Sequence, residues 1–197
     1  MSSVAPVRGV ENSWKPDVTN GKFAMWVFLG TEIMFFTALI GTYIVLRFGS
    51  EVWPTPAEVL NVPLTALNTF FLICSSVTMV LALQGIERGN QAQLKGYLMA
   101  TVAIGALFVS IQAIEYKELI SEGFVPAAGI FPSTFYIMTA FHGAHVMAGV
   151  IFLACVLIGA LRGKYSSDNY SVVEIAGLYW HFVDLVWILL FTLVYLF

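Results

Sequence analysis

Charged residues are scarce in this sequence, and their scarcity excludes several classes of protein. Only 11% of the 197 residues are charged and 59% are hydrophobic, whereas soluble domains carry roughly a quarter charged residues. The net charge is −3 and there is no cluster of basic residues, so a partner nucleic acid is not expected. The composition indicates a protein whose surroundings are largely lipid.

Cysteine and histidine are also rare, and most metal sites depend on them. The two cysteines, Cys74 and Cys155, have no partner at CxxC spacing, so neither a disulfide framework nor a thiolate metal site is predicted. We interpret both as small core residues. Three histidines are too few to build a catalytic haem with an adjacent copper ion.

Long apolar runs are abundant instead. A transmembrane helix needs about 20 mainly apolar residues, and five segments qualify, at about residues 22–47, 64–86, 96–119, 133–161 and 172–197. We therefore predict an all-α integral membrane bundle of five transmembrane helices over residues 22–197, preceded by a polar tail at residues 1–21. The apolar run after Lys22 is too long for the core of a signal peptide, so no cleaved leader is expected.

The distribution of lysine and arginine predicts how the bundle lies in the membrane, because short loops rich in these residues stay on the cytoplasmic side. The tail with the second and fourth loops holds most of them, namely Arg8, Lys15, Lys22, Arg88, Lys95, Arg162 and Lys164. The first and third loops with the adjoining helix ends hold only Arg47 and Lys117. An N-terminus inside and a C-terminus outside are expected.

Several polar residues lie inside the predicted spans, where an ionisable group costs about 2.5–3.5 kcal/mol on insertion scales. Three pairs are spaced three apart and so share a helix face, namely Gln112 with Glu115, His142 with His145, and His181 with Asp184. We predict that these six residues make interhelical polar contacts. The alternative is a small membrane protein that holds a single haem or zinc ion with its three histidines.

Glu32 lies about ten residues into the first predicted helix, with no cation within a turn on either side. One interpretation is a protonated acid that is hydrogen-bonded to a neighbouring helix, and the other is a proton-handling or lipid-headgroup site in a partly wet cleft. Arg162 and Lys164 follow the fourth span, and basic residues beside a helix end suit anionic lipid headgroups. We group Glu32, Arg162 and Lys164 as a candidate lipid-cleft or proton-handling site.

Four stretches of the sequence resemble the signature stretches of subunit III of the haem–copper terminal oxidases. They are TEIMFF, QAIEY, STFYIMTAFHGAHV and YWHFVDLVWILLF. The resemblance runs from about Lys22 to the C-terminus and is to the short, five-helix bacterial form of the family. The glutamate in TEIMFF resembles the cytochrome c oxidase branch more than the quinol oxidases, while Ala144 stands where leucine is more usual. Accessory proteins of nitric oxide reductases also resemble subunit III, so the branch stays open.

The resemblance implies a subunit in the bacterial inner membrane that has no redox centre of its own. It would pack against subunit I, which holds the haems and copper, and would work with subunit II, in a complex that reduces oxygen to water and moves protons. A larger respiratory supercomplex is a further possible partner. The family is expected to form a V-shaped pair of bundles whose cleft holds phospholipid, to support proton uptake and to protect the oxidase from inactivation during turnover. Glu32 matches the family's carbodiimide-reactive glutamate. A proton-coupled transporter remains the third alternative, although no internal repeat is evident.

Overall fold

A computed structural model describes residues 19–51 and 53–197, so most of the predicted polar tail and the question of a leader lie outside the described residues. Five helices in the described part are long and apolar enough to cross a membrane. They are α1 at Asn20–Gly49, α2 at Val62–Glu87, α3 at Gln91–Ser121, α4 at Ile130–Leu161 and α5 at Ser171–Phe191. No strand is present within these ranges. The predicted all-α fold of five membrane-length helices is confirmed.

Helices α1, α2 and α3 begin two to five residues before the predicted bounds, and a polar cap residue precedes each of them. The side chains of Thr19, Asn61 and Asn90 each accept a hydrogen bond from a backbone N–H in the first turn of α1, α2 and α3. The largest difference is in α3, which begins at Gln91 rather than near residue 96 because its first turn is polar. Residues 20 and 21 likewise belong to α1 and not to the tail.

The C-terminal end of α5 continues into a π-helical turn at Thr192–Leu196. The carbonyl oxygen of Leu193 accepts hydrogen bonds from the Tyr43 hydroxyl at 3.3 Å and from the Arg47 guanidinium at 3.5 Å. Arg47 also donates to the carbonyl oxygen of Phe197. The end of α1 is therefore fastened to the end of α5, and Tyr195 is buried between helices.

Helices α2 and α3 form the most extensive pair in the bundle, α4 packs on α3, and α5 packs on both α4 and α2. Two indoles of α5 donate to hydroxyl groups of α2, Trp180 to Ser75 and Trp187 to Thr69, each at 2.9 Å. Close approach is needed at Gly105 of α3, where a Cβ atom would lie 2.5 Å from the Trp180 ring. These four helices pack tightly around a shared core.

Helix α1 is attached by a narrower contact. Its buried residues are Leu29, Phe36 and Tyr43, which are spaced seven apart, the repeat that keeps one seam of a helix against its neighbours. Glu32 and Leu39 lie between them on the same stripe and are partly buried. We call these five residues the α1 seam. It faces α4 and α5 and keeps Glu32 partly buried.

The cysteines are not both in the core. Cys74 is partly buried, whereas Cys155 is exposed on α4. The interpretation of Cys155 as a core residue is wrong, because its position on α4 faces the surroundings of the bundle, where a small thiol is tolerated.

Candidate functional site

Glu32 of α1 and His145 of α4 form a pair across the interface between these helices. The carboxylate oxygen Oε2 of Glu32 lies 3.0 Å from Nε2 of His145. The other ring nitrogen of His145, Nδ1, lies 2.7 Å from the carbonyl oxygen of Phe141, one turn earlier in α4. The imidazole is therefore held at both nitrogens, and its orientation toward Glu32 is defined.

These contacts determine how many protons the pair carries. A carbonyl oxygen only accepts, so Nδ1 of His145 must be the protonated nitrogen that donates to Phe141. A hydrogen bond between Nε2 and Glu32 then needs one proton, either on the carboxyl group or on Nε2. Both arrangements leave the pair with no net charge, which keeps the cost of placing it inside a membrane low.

The pair stands at the edge of the protein and not in its centre. The side chains of Glu32 and His145 are 16% and 20% exposed, and the ring of Phe36 lies edge-on to the imidazole with centroids 5.1 Å apart. The Tyr179 hydroxyl of α5 donates to the His145 carbonyl at 3.0 Å. Three helices thus converge on a titratable pair that remains reachable from outside the bundle.

His142, one turn before His145, has a different environment. It is 0% exposed, and neither ring nitrogen has a hydrogen-bond partner among the described residues. Its ring stacks on Trp187 with centroids 4.9 Å apart and stands edge-on to Phe108. His142 therefore packs in the manner of an aromatic side chain.

Gln112 of α3 makes a hydrogen bond to α4, because an amide group in apolar surroundings needs a partner. Its amide donates to the carbonyl oxygen of Thr139 at 3.1 Å, and the Tyr116 hydroxyl donates to Thr139 Oγ1 at 2.6 Å. Gly143 makes room for this contact, because a Cβ atom there would lie 2.7 Å from Oε1 of Gln112. The glycine between the two histidines therefore permits α3 and α4 to approach.

Glu115 lies apart from the histidines, among hydroxyl groups of α2 and of the π-helical turn. Its Oε1 is 3.1 Å from the Thr65 hydroxyl and 3.3 Å from the Tyr195 hydroxyl. Thr65 also contacts the carbonyl oxygen of Asn61 at 3.0 Å, to which its proton can be donated. If Glu115 is a neutral acid, Tyr195 donates to Glu115, Glu115 to Thr65 and Thr65 to Asn61, so every group is satisfied.

Asp184 and His181 of α5 meet at a serine of α2. The Ser76 hydroxyl donates to Oδ2 of Asp184 at 2.5 Å, and Nδ1 of His181 lies 3.3 Å from the same hydroxyl oxygen. A chain from His181 through Ser76 to Asp184 is formed when Nδ1 carries the proton. The serine thus links the two residues that the sequence placed on one face.

Arg162 and Lys164 lie at a different depth along the bundle from Glu32. Arg162 follows the last turn of α4, and along an α-helix of 1.5 Å rise it lies about 25 Å from His145, the partner of Glu32. A single headgroup cannot contact both ends of that distance. The candidate lipid-cleft group therefore consists of the pair of Glu32 and His145 and, farther along α4, of two basic residues beyond its end.

The three histidines do not meet at one point. His145 contacts Glu32, His142 stacks on Trp187, and His181 contacts Ser76. In the part of the chain that the structure describes, no group of three or more His, Cys, Asp or Glu residues could hold a metal ion. The donor set for a single haem or zinc ion is not assembled among these residues.

Sequence reasoning missed the hydroxyl partners of the buried acids. They are Thr65 and Tyr195 at Glu115, and Ser76 at Asp184. The hydroxyl groups of α2 recur along the helix at Thr65, Thr69 and Ser76, spaced four and seven apart. That spacing marks one face of α2 and was the available signal.

The polar residues of the four stretches thus lie at contacts between helices of a five-helix membrane bundle, and comparison with known proteins identifies the family. A family model described as cytochrome c oxidase subunit III matches residues 6–197. The chain belongs to the cytochrome c oxidase subunit III family. Membership makes it a subunit of a haem–copper oxidase, a multi-pass membrane protein associated with the catalytic subunits of such a complex.

Relatives of the subunit III family come from both branches of the oxidases. The chain is 37% identical to cytochrome c oxidase subunit 3 of Corynebacterium diphtheriae over 86% of its own length and 84% of the relative. It is 33% identical to a probable quinol oxidase subunit 3 of Staphylococcus haemolyticus, covering 89% and 88%. It is also 32% identical to cytochrome bo(3) ubiquinol oxidase subunit 3 of Pseudomonas aeruginosa, covering 90% and 85%.

Proposed function

We propose that this chain is the non-redox subunit III of an aerobic cytochrome c oxidase, that it stabilises subunit I beside subunit II, and that it supports proton uptake. The proposal includes an N-terminus inside and a C-terminus outside in a bacterial inner membrane. The haems and copper would be held by the partner subunits. The glutamate in TEIMFF and the name of the relative from Corynebacterium diphtheriae support the cytochrome c branch.

The observation that carries the proposal is the pair of Glu32 and His145. A single proton shared by two titratable groups can move between them, and each group can exchange a proton with water that enters beside the helices because neither is fully buried. Glu32 is the thirteenth residue after the Thr19 cap of α1, so the pair lies about 20 Å into the helix, near the middle of a membrane core about 30 Å thick. The pair would hold a proton at this depth without a net charge.

Arg162 and Lys164 have a separate place in the proposal. Both are exposed just beyond the end of α4, at the surface proposed to face the cytoplasm. Anionic phospholipid headgroups are attracted to basic residues at this position. The acyl chains of such a lipid would run toward Glu32 without the headgroup reaching it.

The test compares purified oxidase complexes carrying Glu32→Ala or Arg162→Ala with the unchanged complex. We expect Glu32→Ala to lower the number of turnovers that the complex completes before it is inactivated, because the shared proton is lost. Arg162→Ala should lower the content of bound anionic phospholipid. Glu118→Ala is a matched control for the removal of an exposed carboxylate. If both variants kept the lifetime and the lipid content of the unchanged complex, the proposal would fail.

A quinol oxidase is the second candidate, favoured by the names of the relatives from Staphylococcus haemolyticus and Pseudomonas aeruginosa. The chain would have the same role in either complex, because the proposed proton sharing between Glu32 and His145 does not depend on which electron donor the complex uses. Oxygen consumption by the purified complex with reduced cytochrome c or with a quinol as the donor distinguishes the two.

A further inference from the structure

A groove on the outer surface of the bundle, between α3 and α4, is lined by small side chains. Its volume is about 330 Å³, and its walls include Ala113 of α3 and Ala140, Gly143, Ala144 and Met147 of α4. The three alanines are exposed, so the groove is open toward the surroundings of the bundle. Small residues allow two helix backbones to approach closely in lipid. We call this cavity the α3–α4 groove.

Rows of small residues run along the two helices that form the groove. Four exposed residues of α3 are spaced three, four and three apart, namely Ala103, Ala106, Ser110 and Ala113. Three exposed alanines of α4 are spaced four apart, namely Ala140, Ala144 and Ala148. The first spacing follows the 3.5-residue repeat that keeps one side of a helix against a neighbouring helix, and the second is a pattern typical of helix interfaces in membranes. The two rows therefore form a surface suited to a further helix.

Gln112 supplies a hydrogen-bond acceptor in the α3–α4 groove. This residue is 6% exposed, and its Nε2 donates to the carbonyl oxygen of Thr139 at 3.1 Å. A carbonyl oxygen only accepts, so this contact determines which end of the amide is Oε1. Oε1 lies 2.7 Å from the position that a Cβ atom of Gly143 would take, and both residues line the groove. No donor among the described residues reaches Oε1.

An acceptor at this position needs a partner, because lipid tails donate no hydrogen bond. Gln112 lies nine residues before the end of α3 at Ser121, which is about 14 Å along the helix. The groove is the open side of the amide, so a donor for Oε1 has to come from a molecule that fills the groove. Small residues and an unpaired acceptor together favour a helix that carries a donor side chain.

We propose that the α3–α4 groove receives a transmembrane helix of another subunit of the oxidase. That helix packs on the two rows of small residues, and a serine, threonine or tryptophan side chain on it donates a hydrogen bond to Oε1 of Gln112. Association with other oxidase subunits follows from the family. The groove gives one of these contacts a position and a chemistry.

Lipid and a second copy of this chain suit the groove less well. Acyl chains carry no donor for Oε1 of Gln112. Two copies in one membrane have the same orientation, so a symmetric pair through α3 would place Lys117, which is exposed four residues after Ala113, against the same lysine of the copy. The Ser110 hydroxyl already donates to the carbonyl oxygen of Ala106 at 2.8 Å, so the α3 row of a copy would bring no free hydroxyl.

This contact rests on the part of the proposed function in which the chain binds and stabilises its partner subunits. It is independent of the pair of Glu32 and His145. A shorter turnover lifetime in Glu32→Ala and the loss of a subunit in variants of the groove are separate results, so either proposal can fail while the other holds.

The experiment captures the oxidase complex in detergent through a tag on this chain and measures by mass spectrometry which other subunits stay bound. Ala113→Trp and Ala144→Trp fill the groove from its two helices. Each should lower the retention of the same subunit by about tenfold, because an indole in the groove keeps the partner helix from approaching. Leu107→Trp and Ile114→Trp are the controls, since both positions are exposed on α3 and line no part of the groove. These controls should retain that subunit.

A second set of variants tests the hydrogen bond to Gln112. Gln112→Met keeps the size of the side chain but removes the acceptor, so it should lower retention of the subunit about threefold, the size of one interhelical hydrogen bond in a membrane. Gln112→Glu, as a neutral acid, keeps an O–H for Thr139 and a carbonyl oxygen for the partner, so it should restore retention. Ser110→Ala removes a hydroxyl that is bonded within α3 and should change nothing.

Four results would overturn the proposal. Ala113→Trp and Ala144→Trp could retain every subunit, which would leave the groove to lipid, or they could lose a second copy of this chain instead. The two control positions could lose the same subunit to the same extent, or Gln112→Met could retain as much of it as the unchanged complex. All four Trp positions are exposed, so the new side chains displace no interior residue. If one groove variant does not accumulate in the membrane, the other tests the same contact from the opposite helix.

Discussion

Glu32 and Glu115 are two glutamates inside the same membrane bundle, and their partners set them apart. Glu32 meets a histidine at the edge of the protein, where the shared proton can lie on either group. Glu115 is 5% exposed, and its hydrogen-bond partners among the described residues are hydroxyl groups, which would satisfy a neutral acid. A carboxyl group in a membrane is thus suited to proton exchange when its partner can take the proton, and to a structural hydrogen bond when its partner cannot.

The helices around the two glutamates also differ in how closely they pack. Glu115 is surrounded by α2, α3 and the end of α5, which pack closely, whereas Glu32 lies on the α1 seam, which buries three residues in thirty. Because the α1 seam is narrow, the pair of Glu32 and His145 stays partly exposed at the surface of the bundle. Substitutions on the two sides of the molecule should therefore have unequal effects.

The largest difference is expected between Glu115→Ala and Glu32→Ala. Removing the buried carboxyl leaves Tyr195 and Thr65 without their partner and opens a cavity, at a cost of about 2–3 kcal/mol. Glu32→Ala should cost less than about 1 kcal/mol because its site is already partly open. The temperature at which the subunit leaves the purified complex measures both. Equal losses would contradict the contrast between the two sides.

A smaller effect is expected from a methyl group at the glycines of the two regions. Gly105→Ala places a Cβ atom 2.5 Å from the Trp180 ring, and overpacking of this kind costs about 1–3 kcal/mol. Gly41 of α1 has no atom within 4 Å of its Cβ position, so Gly41→Ala should change stability by less than about 0.5 kcal/mol. The same dissociation temperature measures them, and a large loss in Gly41→Ala would show that α1 is packed against a partner there.

The smallest effect is expected at the start of α1, where Lys22 pairs with Glu174 of α5. Both side chains are about a quarter to a third exposed, and pairs of this kind contribute roughly 0.2–1 kcal/mol. Lys22→Gln should lower the dissociation temperature slightly at low salt and hardly at all at high salt, because screening already weakens the pair. A large loss that does not depend on salt would mean that this pair, and not the α1 seam, attaches α1.

The fold was accessible from the sequence because length and apolarity are local properties. Five runs of about 20 apolar residues predicted five helices, and the largest difference at a helix start is the polar first turn of α3, which begins at Gln91. The seven-residue spacing of Leu29, Phe36 and Tyr43 could also have been read in advance, and it places Glu32 on an inward-facing stripe.

The partners of the polar residues were not accessible in the same way. Whether His145 meets Glu32, Glu115 or Asp184 depends on the order and rotation of the helices, which spacing within one helix does not determine. His142 and His145 share a face in sequence terms, yet one stacks on Trp187 and the other reaches Glu32. The hydroxyl partner Tyr195 depends on a π-helical turn, for which the sequence carries no simple signal.

We propose that the proton shared by Glu32 and His145 is exchangeable and that Glu115 has no such role. The most direct measurement is the rate of proton uptake during steady turnover by complexes that carry Glu32→Gln, His145→Gln or Glu115→Gln and retain all their subunits. Glu32→Gln and His145→Gln should slow uptake, since each keeps a hydrogen bond but removes a titratable group, whereas Glu115→Gln should match the unchanged complex. Normal uptake in Glu32→Gln and His145→Gln would contradict the claim and leave the pair as an interhelical contact only.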